Sequence, residues 1–404
     1  MYKPVKVVEV FLWGRRVGAL AHDYDQYSVF EYDPEFRKSG IEVAPFKMPL
    51  AQGVYHAEDF RLPRTMFSGL PGMVADSLPD AFGNALMRKY MESEQIDLRQ
   101  ITPLDRLAYV GSRGMGALTY KPVMREEDDL PSAVDMRQLV DEARQALNNR
   151  LGEMKGPEAL REIIRVGTSA GGAQAKAVVG WNRETGEFLA GAGDLPEGFE
   201  HWLIKFTPWG LEEAGEKEYE IHRQALAAGI EMSECRLYEL DGVKHFMTKR
   251  FDRDGNRRHH LQTLCALQHV GHPSSREEKR YELLFRTAVD LGLGYEALEQ
   301  LFRRMAFNVL IEEVDDHTKN FSFLMREGGD WELAPAYDLT GYHFSVEDKD
   351  IEAWSNPHVL SVNDKTSNIT DADLLAVAER YGLGTARRVL GEVKAAVGKG
   401  CDMV

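Results

Sequence analysis

The pattern of hydrophobic and polar positions divides the chain into a β-rich first part, a mixed middle part and a mostly helical last part. Alternating apolar and polar residues predict strands at Val7–Trp13, Val17–Ala21 and Ser28–Tyr32, and Pro34 ends the third strand. The stretch from Pro45 to Pro63 has no clear period and predicts an extended, loop-rich segment. The chain is therefore expected to begin as a β-sheet.

Two helices and a further strand complete the first part. Apolar residues at helical spacing predict a helix over Ala81–Met91, with Asp80 or Ser77 as its capping residue. A second helix is predicted at Pro103–Val110, and a strand at Ala117–Lys121. The acidic residues 125–131 that follow are expected to form a linker or the edge of this part.

The middle part alternates between helical and strand patterns. Helical periodicity predicts helices at Asp135–Asn148, Pro157–Arg165 and Glu216–Ala228. Apolar runs predict strands at Ala177–Trp181, His201–Phe206, Cys235–Leu240 and His245–Thr248, the last two joined as a hairpin. We expect a second sheet with helices beside it.

Helical patterns dominate from Leu261 onwards. Helices are predicted at Leu261–His269, Arg276–Leu291, Tyr295–Val314 and Asp371–Val397, and a short hairpin at Phe321–Met325 and Trp331–Pro335. This order of elements predicts an α+β bilobal fold with an N-terminal β-rich subdomain and a largely helical C-terminal lobe.

Composition narrows the class of protein. A length of 404 residues predicts two or three domains, and the net charge of −16 disfavours autonomous binding to nucleic acid, although a basic partner could supply that contact. No apolar run is long enough for a membrane helix, and the N-terminus lacks the features of a signal peptide. Cys235, Cys265 and Cys401 show no paired spacing, which is typical of reduced thiols in a cytoplasmic protein without a zinc site.

The stretch VDDHTKN, Val314–Asn320, carries the clearest chemical motif. Asp315 and Asn320 stand at the D-x-x-x-x-N spacing of a kinase catalytic loop, and only Asp315, not Asp316, fits that spacing. Asp338 follows behind a strand-like stretch, where kinases place an aspartate that binds Mg²⁺. A metallophosphatase is the alternative for such an Asp-Asp-His cluster, but no accompanying pair of histidine ligands is present.

Two further segments could bind phosphate groups. Gly171 and Gly172 in SAGGAQAK allow the backbone to approach phosphate oxygens, although an ordinary turn is the alternative. Lys205 lies within the apolar strand HWLIKF, where it either faces solvent or binds phosphates. Of the acidic residues on the next helix, Glu218 is the predicted partner of Lys205.

The remaining candidates keep more than one interpretation. His317 could be a third metal ligand, a phosphate contact or a packed structural histidine. Lys319 could steady the transferred phosphate or be a solvated side chain. Lys249-Arg250-Phe251 could cross between lobes and meet adenine, or be a charged strand end.

Taken together, the segments SAGGAQAK, HWLIKF, KRFDR, VDDHTKN and APAYD, in that order, resemble the HipA kinases of bacterial HipA–HipB toxin–antitoxin systems. LWGRRVGAL, GLPGMVADSLPDAFGNAL and LDRLAYVGSRGMGAL resemble the small β-rich domain that precedes the kinase core in that family. The resemblance extends from about Val7 to Leu339. It implies three regions: residues 1–124 as the β-rich subdomain, 125–250 as an ATP-binding N-lobe and 251–404 as a helical C-lobe with the catalytic loop.

The resemblance also implies roles for individual residues. Asp315 would be the catalytic base, Asn320 and Asp338 would hold Mg²⁺, and Lys205 would bind the α- and β-phosphates of ATP. Backbone groups around Lys249 and Phe251 would hold adenine. The loop that covers the phosphates would comprise Ser169, Ala170, Gly171, Gly172, Ala173 and Gln174.

Regulation and partners follow from the same resemblance. HipA kinases autophosphorylate a serine in this loop, which corresponds to Ser169, with Thr168 adjacent; the added negative charge would expel the loop and silence the enzyme. The family phosphorylates aminoacyl-tRNA synthetases and binds HipB, a helix-turn-helix antitoxin.

The chain departs from a well-known member at Asp316, where that protein has Gly; the extra carboxylate could raise the pKa of Asp315 or contact substrate.

Two other functions are compatible with the sequence. The chain could be a nucleotide-binding co-repressor scaffold without kinase activity, or a kinase of small molecules or lipids. The intact Lys205, Asp315, Asn320 and Asp338 argue against an inactive scaffold.

Overall fold

The structure is a computed structural model. It describes residues 2–22, 27–124, 132–147, 174–191, 193–208, 210–271, 278–341 and 357–400. The predicted helix Pro157–Arg165, the acidic stretch 125–131, Cys401 and the loop residues from Ser169 to Ala173 lie outside the described residues.

The first part of the chain forms an antiparallel five-stranded sheet of order β4-β3-β2-β1-β5. Its strands are β1 (Val7–Leu12), β2 (Arg15–His22), β3 (Ser28–Tyr32), β4 (Val54–His56) and β5 (Leu118–Lys121). Trp13 and Gly14 make the first turn with φ angles of 50° and 76°, which suits the twist of a two-residue hairpin. The predicted N-terminal strands are confirmed. The predicted extended, loop-rich stretch from Pro45 to Pro63 contains the three-residue strand β4, which is too short to show a period in the sequence.

Short helices lie against this sheet, and longer helices follow them along the chain. They are α1 (Pro34–Arg37), α2 (Arg64–Phe67), α3 (Gly72–Ala75), α4 (Ala81–Ser93) and α5 (Pro103–Val110). Asp80 caps α4 by accepting a hydrogen bond from the Gly83 N–H at 2.6 Å. Ser77, the alternative cap, instead accepts a hydrogen bond from the Tyr120 hydroxyl. We refer to this sheet and its helices, residues 7–121, as the N-terminal module.

The second sheet is also antiparallel, with order β7-β6-β8-β10-β9. It consists of β6 (Lys176–Asn182), β7 (Phe188–Ala190), β8 (Phe199–Lys205), β9 (Cys235–Leu240) and β10 (Val243–Lys249), with α6 (Met136–Leu147) and α7 (Ala214–Ala227) beside it. Phe82 and Leu86 of α4 share a buried apolar cluster with Trp202 and Ile204 of β8. The N-terminal module therefore packs directly against the second sheet.

The last part is mostly helical. Its elements are β11 (Arg253–Asp254), β12 (Arg257–Arg258), β13 (His260–Thr263), α8 (Leu264–Gln268), α9 (Tyr281–Asp290), α10 (Tyr295–Leu310), β14 (Ser322–Met325), β15 (Trp331–Leu333), α11 (Asp371–Arg380) and α12 (Ala386–Gly400). Phe285, Phe302 and Phe307 lie in its core, and each is fully buried.

Two helix predictions in this part need correction. Residues Leu261–Thr263, predicted to begin a helix, belong to the strand His260–Thr263 because they pair with the distant strand Ser322–Met325. The single helix predicted over Asp371–Val397 is two helices, interrupted where Gly382 adopts a φ of 68°. The short hairpin around Gly328 and Gly329 is confirmed.

Two bulk predictions can be compared with the described part of the chain. Cys235 and Cys265 are free and buried, as expected for reduced thiols. Within the described ranges, none of the helices combines the length and apolar character needed to cross a bilayer.

Candidate active site

Lys205 lies at the centre of a buried cluster of charges between the second sheet and the helical part. Its Nζ is 2.5 Å from Glu218 Oε1 on α7 and 2.5 Å from Asp338 Oδ1. The side chains of Lys205 and Glu218 are each 6% exposed. The choice of Glu218 as the partner of Lys205 is confirmed, since the neighbouring Glu216 and Glu220 form ion pairs with Lys244 and Arg223.

The two carboxylates keep Lys205 charged despite its burial. Burial alone would lower the pKa of Lys205, but Asp338 and Glu218 outweigh that effect and raise it above its usual value. Burial would likewise raise the pKa of Asp338, but Lys205 and Lys176 hold it well below its usual range. The cluster thus contains a fixed ammonium group and an ionised aspartate.

Lys176 is a second buried lysine at this site, and its role was not predictable from the motifs named above. It is the first residue of β6 and the direct cross-strand neighbour of Lys205. Its side chain is 3% exposed, and its Nζ lies 3.6 Å from Asp80 Oδ2 in the N-terminal module. Burial lowers the pKa of Lys176. The sequence did contain a clue to this role, because Lys176 stands between a glycine-rich segment and an apolar strand.

Both lysines line one cleft that is charged at one end and apolar elsewhere. Leu203, Met232, Phe246 and Leu339 contribute apolar surface beside the two lysines. This mixed lining suits a ligand with an apolar ring and an anionic group.

Asp315 and Asn320 lie in a tight turn next to this cleft. Residues Thr318–Asn320 form one turn of 3₁₀-helix, and Asn320 Nδ2 donates a hydrogen bond to the Asp315 carbonyl oxygen at 3.0 Å. Asp315 is exposed, whereas Asp316 is buried. Partial burial raises the pKa of Asp315; His317 opposes this rise, and Asp338 and Asp316 add to it.

Glu313 joins the segments that carry Asp315 and Asp338. Its Oε2 accepts hydrogen bonds from the N–H groups of Thr340 and Gly341, both at 2.7 Å, and its Oε1 accepts one from the Asp315 N–H at 3.3 Å. Asp338 itself has a φ of 57°, a left-handed conformation that is uncommon for residues other than glycine. Glu313 was missed because its role depends on chain segments that meet only in the fold.

Models of known protein families match both parts of the chain. The HipA N-terminal domain matches residues 8–121, and the HipA-like C-terminal domain matches residues 168–400. The chain belongs to the HipA family.

Individual known proteins are similar to this chain to different degrees. Y4dM of Sinorhizobium fredii, named as a kinase, is 23% identical over 97% of this chain and 91% of its own length. The structure of HipA from Shewanella oneidensis, determined with HipB and operator DNA, superposes with a TM-score of 0.68 at 19% identity, covering 98% of this chain and 91% of that one. The predicted α+β, protein-kinase-like bilobal fold of the HipA family is confirmed. The kinase CtkA of Helicobacter pylori, at 14% identity and a TM-score of 0.32 over 50% of this chain and 92% of that one, adds nothing to this conclusion.

The structure brings several of the residues implied by the HipA resemblance together. Lys205 and Asp338 are in direct contact, and Asn320 lines a cavity with Asp338. The His317 side chain is close enough to lower the pKa of both Asp315 and Asp338. Its buried Nδ1 has no hydrogen-bond partner, which leaves the three interpretations of His317 open.

The remaining predicted HipA site residues make contacts of other kinds. Gln174 donates a hydrogen bond to the Phe206 carbonyl oxygen at 3.3 Å, and Lys319 is exposed. The Lys249 side chain forms an ion pair with Glu200, away from the Lys205 cluster, while the Phe251 ring packs against Tyr337. The assignment of adenine to the backbone of Lys249–Phe251 stays a prediction.

The side chains fit a Mg²⁺ ion that would be shared with phosphate groups. Across the described ranges, no cluster of three or more His, Cys, Asp and Glu side chains is arranged to hold a metal by itself. Asn320 and Asp338 line the same cavity, and both carry oxygen donors. Mg²⁺ is commonly held by one or two protein oxygens together with substrate phosphates.

Proposed function

We propose that this HipA-family chain is an ATP- and Mg²⁺-dependent protein serine/threonine kinase. The observation that carries the proposal is the contact of Lys205 with both Glu218 and Asp338 at 2.5 Å. Burying such charges brings no general gain in stability over apolar packing, so their retention in a cleft favours a functional role.

Each side chain has a role that its position allows. Asp315, which is exposed and has a raised pKa, would orient the substrate hydroxyl and accept its proton. Asn320 and Asp338 would hold Mg²⁺, which when bound neutralises charge on the phosphates. Lys205 and Lys176 would bind phosphate oxygens from the side of the second sheet. Glu313 would hold the segments that carry Asp315 and Asp338 at a fixed distance from each other.

The substrate and the partner are further parts of the proposal. We expect a growth-arresting toxin that phosphorylates a translation component such as an aminoacyl-tRNA synthetase, and that is inactivated by phosphorylation of Ser169. A HipB-like antitoxin is the proposed partner; the HipB and operator DNA bound to the Shewanella relative support this, as does a net charge of −16, which suits a basic DNA-binding protein. A cytoplasmic location accords with the free thiols of Cys235 and Cys265.

Transfer of labelled phosphate tests the proposal. The purified chain, incubated with Mg²⁺ and γ-labelled ATP, should label itself at Ser169, and Asp315→Asn should abolish labelling. Asp330→Asn, which removes an exposed carboxylate from the β14–β15 turn, should leave labelling unchanged. Labelling that survives Asp315→Asn would overturn the assignment of the base.

Controls separate this function from the alternatives. Ser169→Ala should lose self-labelling while keeping transfer to proteins of a cell lysate. Tight binding of ATP without transfer to any acceptor would favour the co-repressor scaffold. Transfer to a lipid or small molecule but not to protein would favour the other kinase class.

A further inference from the structure

We propose that Asp80 of the N-terminal module is a positioning residue of the nucleotide site, acting through Lys176. The inference rests on the proposed binding of ATP in this cleft. It makes the N-terminal module a part of the site, in addition to its packing against the second sheet.

The two oxygens of Asp80 face different parts of the molecule. Oδ1 accepts the hydrogen bond that caps α4, from the Gly83 N–H at 2.6 Å. Oδ2 is buried, makes no hydrogen bond and lies 3.6 Å from Lys176 Nζ, and the Asp80 side chain is only 5% exposed. A cap requires one acceptor, so the second oxygen, which faces Lys176 and makes no hydrogen bond, points to a role across the domain boundary.

Asp76 anchors the same segment to the helical part. Its two oxygens accept hydrogen bonds from the N–H and the hydroxyl of Thr263, both at 2.8 Å. Thr263 ends β13, which pairs with the strand that follows Asn320. Lys319 of the catalytic loop is close enough to counter the rise in pKa that burial causes in both Asp76 and Asp80. The segment from Asp76 to Asp80 therefore contacts both the helical part, through Thr263, and the second sheet, through Lys176.

Lys176 requires a carboxylate because its ammonium group is buried. The charged groups that face it are Asp80, Asp338, Glu218 and the like-charged Lys205. Glu218 and Asp338 are in direct contact with Lys205. Asp338 favours the charged form of Lys176 more strongly, but it is bound to Lys205. Asp80 forms the ion pair with Lys176 itself, so it is the carboxylate placed to orient the Lys176 ammonium.

Asp80→Asn tests this role while preserving the cap, because asparagine caps helices as well as aspartate does. The affinity for the non-hydrolysable analogue AMP-PNP with Mg²⁺, measured by calorimetry, should fall about tenfold, the scale of a typical coupling between sites. Asp33→Asn is the matched control. Asp33 also caps a helix of the N-terminal module, α1, and it pairs with Arg16 on the surface. The Asp33→Asn protein should therefore bind AMP-PNP as tightly as the wild type.

A double-mutant cycle separates positioning from general damage. Lys176→Met should weaken binding, and Asp80→Asn should add nothing in that background. As pH rises, Lys176 loses its proton and the affinity for the nucleotide should decline. In the Asp80→Asn protein this decline should begin at a lower pH than in the wild type, because Lys176 lacks the carboxylate that favours its charged form. If Asp80 had only a structural role, Asp80→Asn would lower the affinity equally with and without Lys176, and the pH dependence would match that of the wild type.

The outcomes distinguish this inference from the proposed function. Unchanged or tighter binding by Asp80→Asn, or an equal loss with and without Lys176, would overturn the inference and leave the kinase proposal standing. A wild-type protein that binds no nucleotide would overturn both. If Asp80→Asn does not fold, Asp80→Ser, which also keeps a capping oxygen, takes its place with the same expectations.

Discussion

The carboxylate of Asp316 accepts a hydrogen bond from His358 Nδ1 at 3.0 Å, and this contact ties the catalytic loop to the segment that leads into α11. The same carboxylate accepts hydrogen bonds from the N–H groups of Val359 and Leu360, at 2.8 and 3.2 Å, and from the Tyr281 hydroxyl at 2.9 Å. Its side chain is fully buried. Asp316 therefore anchors the structure beneath Asp315, and its burial argues against the direct substrate contact considered from the sequence.

Asp316→Asn should destabilise the protein by about 2–4 kcal/mol, because an amide replaces one accepting oxygen with donors that oppose the donors already present. Urea unfolding at neutral pH measures this loss. Asp330→Asn, at an exposed position, should change stability by less than about 0.5 kcal/mol. Equal stability of the two variants would contradict the anchoring role.

Asp315→Asn should reduce phosphate transfer by about 10²–10⁴-fold, the usual contribution of a positioned general base, with little change in stability because Asp315 is exposed. Initial rates of transfer, compared with urea unfolding of the same protein, test this expectation. Asp316→Asn should show the reverse pattern, with lost stability and retained transfer at temperatures where it stays folded. If Asp316→Asn were folded and inactive while Asp315→Asn stayed active, the two assignments would be exchanged.

The raised pKa of Asp315 predicts the acid side of the rate profile. Partial burial and the neighbouring Asp338 and Asp316 raise this pKa, so the carboxylate loses its ability to accept a proton at a higher pH than a free aspartate. Transfer should therefore fall as pH decreases through a value above about 3.9, the pKa of an unperturbed aspartate. Folded Asp316→Asn should move this fall to lower pH, since one like charge is removed. An unshifted profile would contradict the electrostatic coupling.

Glu313→Gln should lower kcat by about tenfold with little effect on KM for ATP, because misplacing the reacting groups costs rate more than binding. The amide keeps one oxygen, so it cannot accept from Asp315 on one side and from Thr340 and Gly341 on the other. Steady-state kinetics of phosphate transfer provide the measurement. Glu312→Gln, at the exposed neighbouring position, should behave as the wild type. A change confined to KM would show that Glu313 acts on nucleotide binding instead.

The residues whose roles were predictable from sequence are those whose roles depend on their neighbours along the chain. Asp80 could be predicted as a cap because capping depends on neighbours in the chain, and Lys205 was conspicuous as a charge in an apolar strand. His260–Thr263 was not recognisable as a strand, because its partner Ser322–Met325 lies far along the chain. Glu313 and the second role of Asp80 were hidden for the same reason, since each depends on segments brought together by tertiary packing.

A buried carboxylate with two arginines joins the N-terminal module to the rest of the chain. Asp252 accepts hydrogen bonds from Arg250 Nε at 2.9 Å, from Arg253 Nη1 at 2.7 Å and from the Gly116 N–H at 2.7 Å. Burial would raise the pKa of Asp252, but Arg250 and Arg253 hold it well below its usual range. Because the folded pKa is depressed, the stability it contributes is present above the unfolded pKa and is lost as pH falls towards the folded one.

Asp252→Asn should therefore cost about 3–5 kcal/mol at pH 7, because it leaves two buried guanidinium groups without their counter-charge. Below about pH 4 the difference from the wild type should narrow by up to about 1.4 kcal/mol per pH unit, as the wild-type protein loses the linked stability that the variant lacks. Urea unfolding at pH 7, 5 and 3.5 gives the profile. Asp254→Asn, two residues away and exposed on β11, should follow the wild type at every pH. A difference for Asp252→Asn that stays constant across this range would show that packing, and not charge, explains the stability lost with this carboxylate.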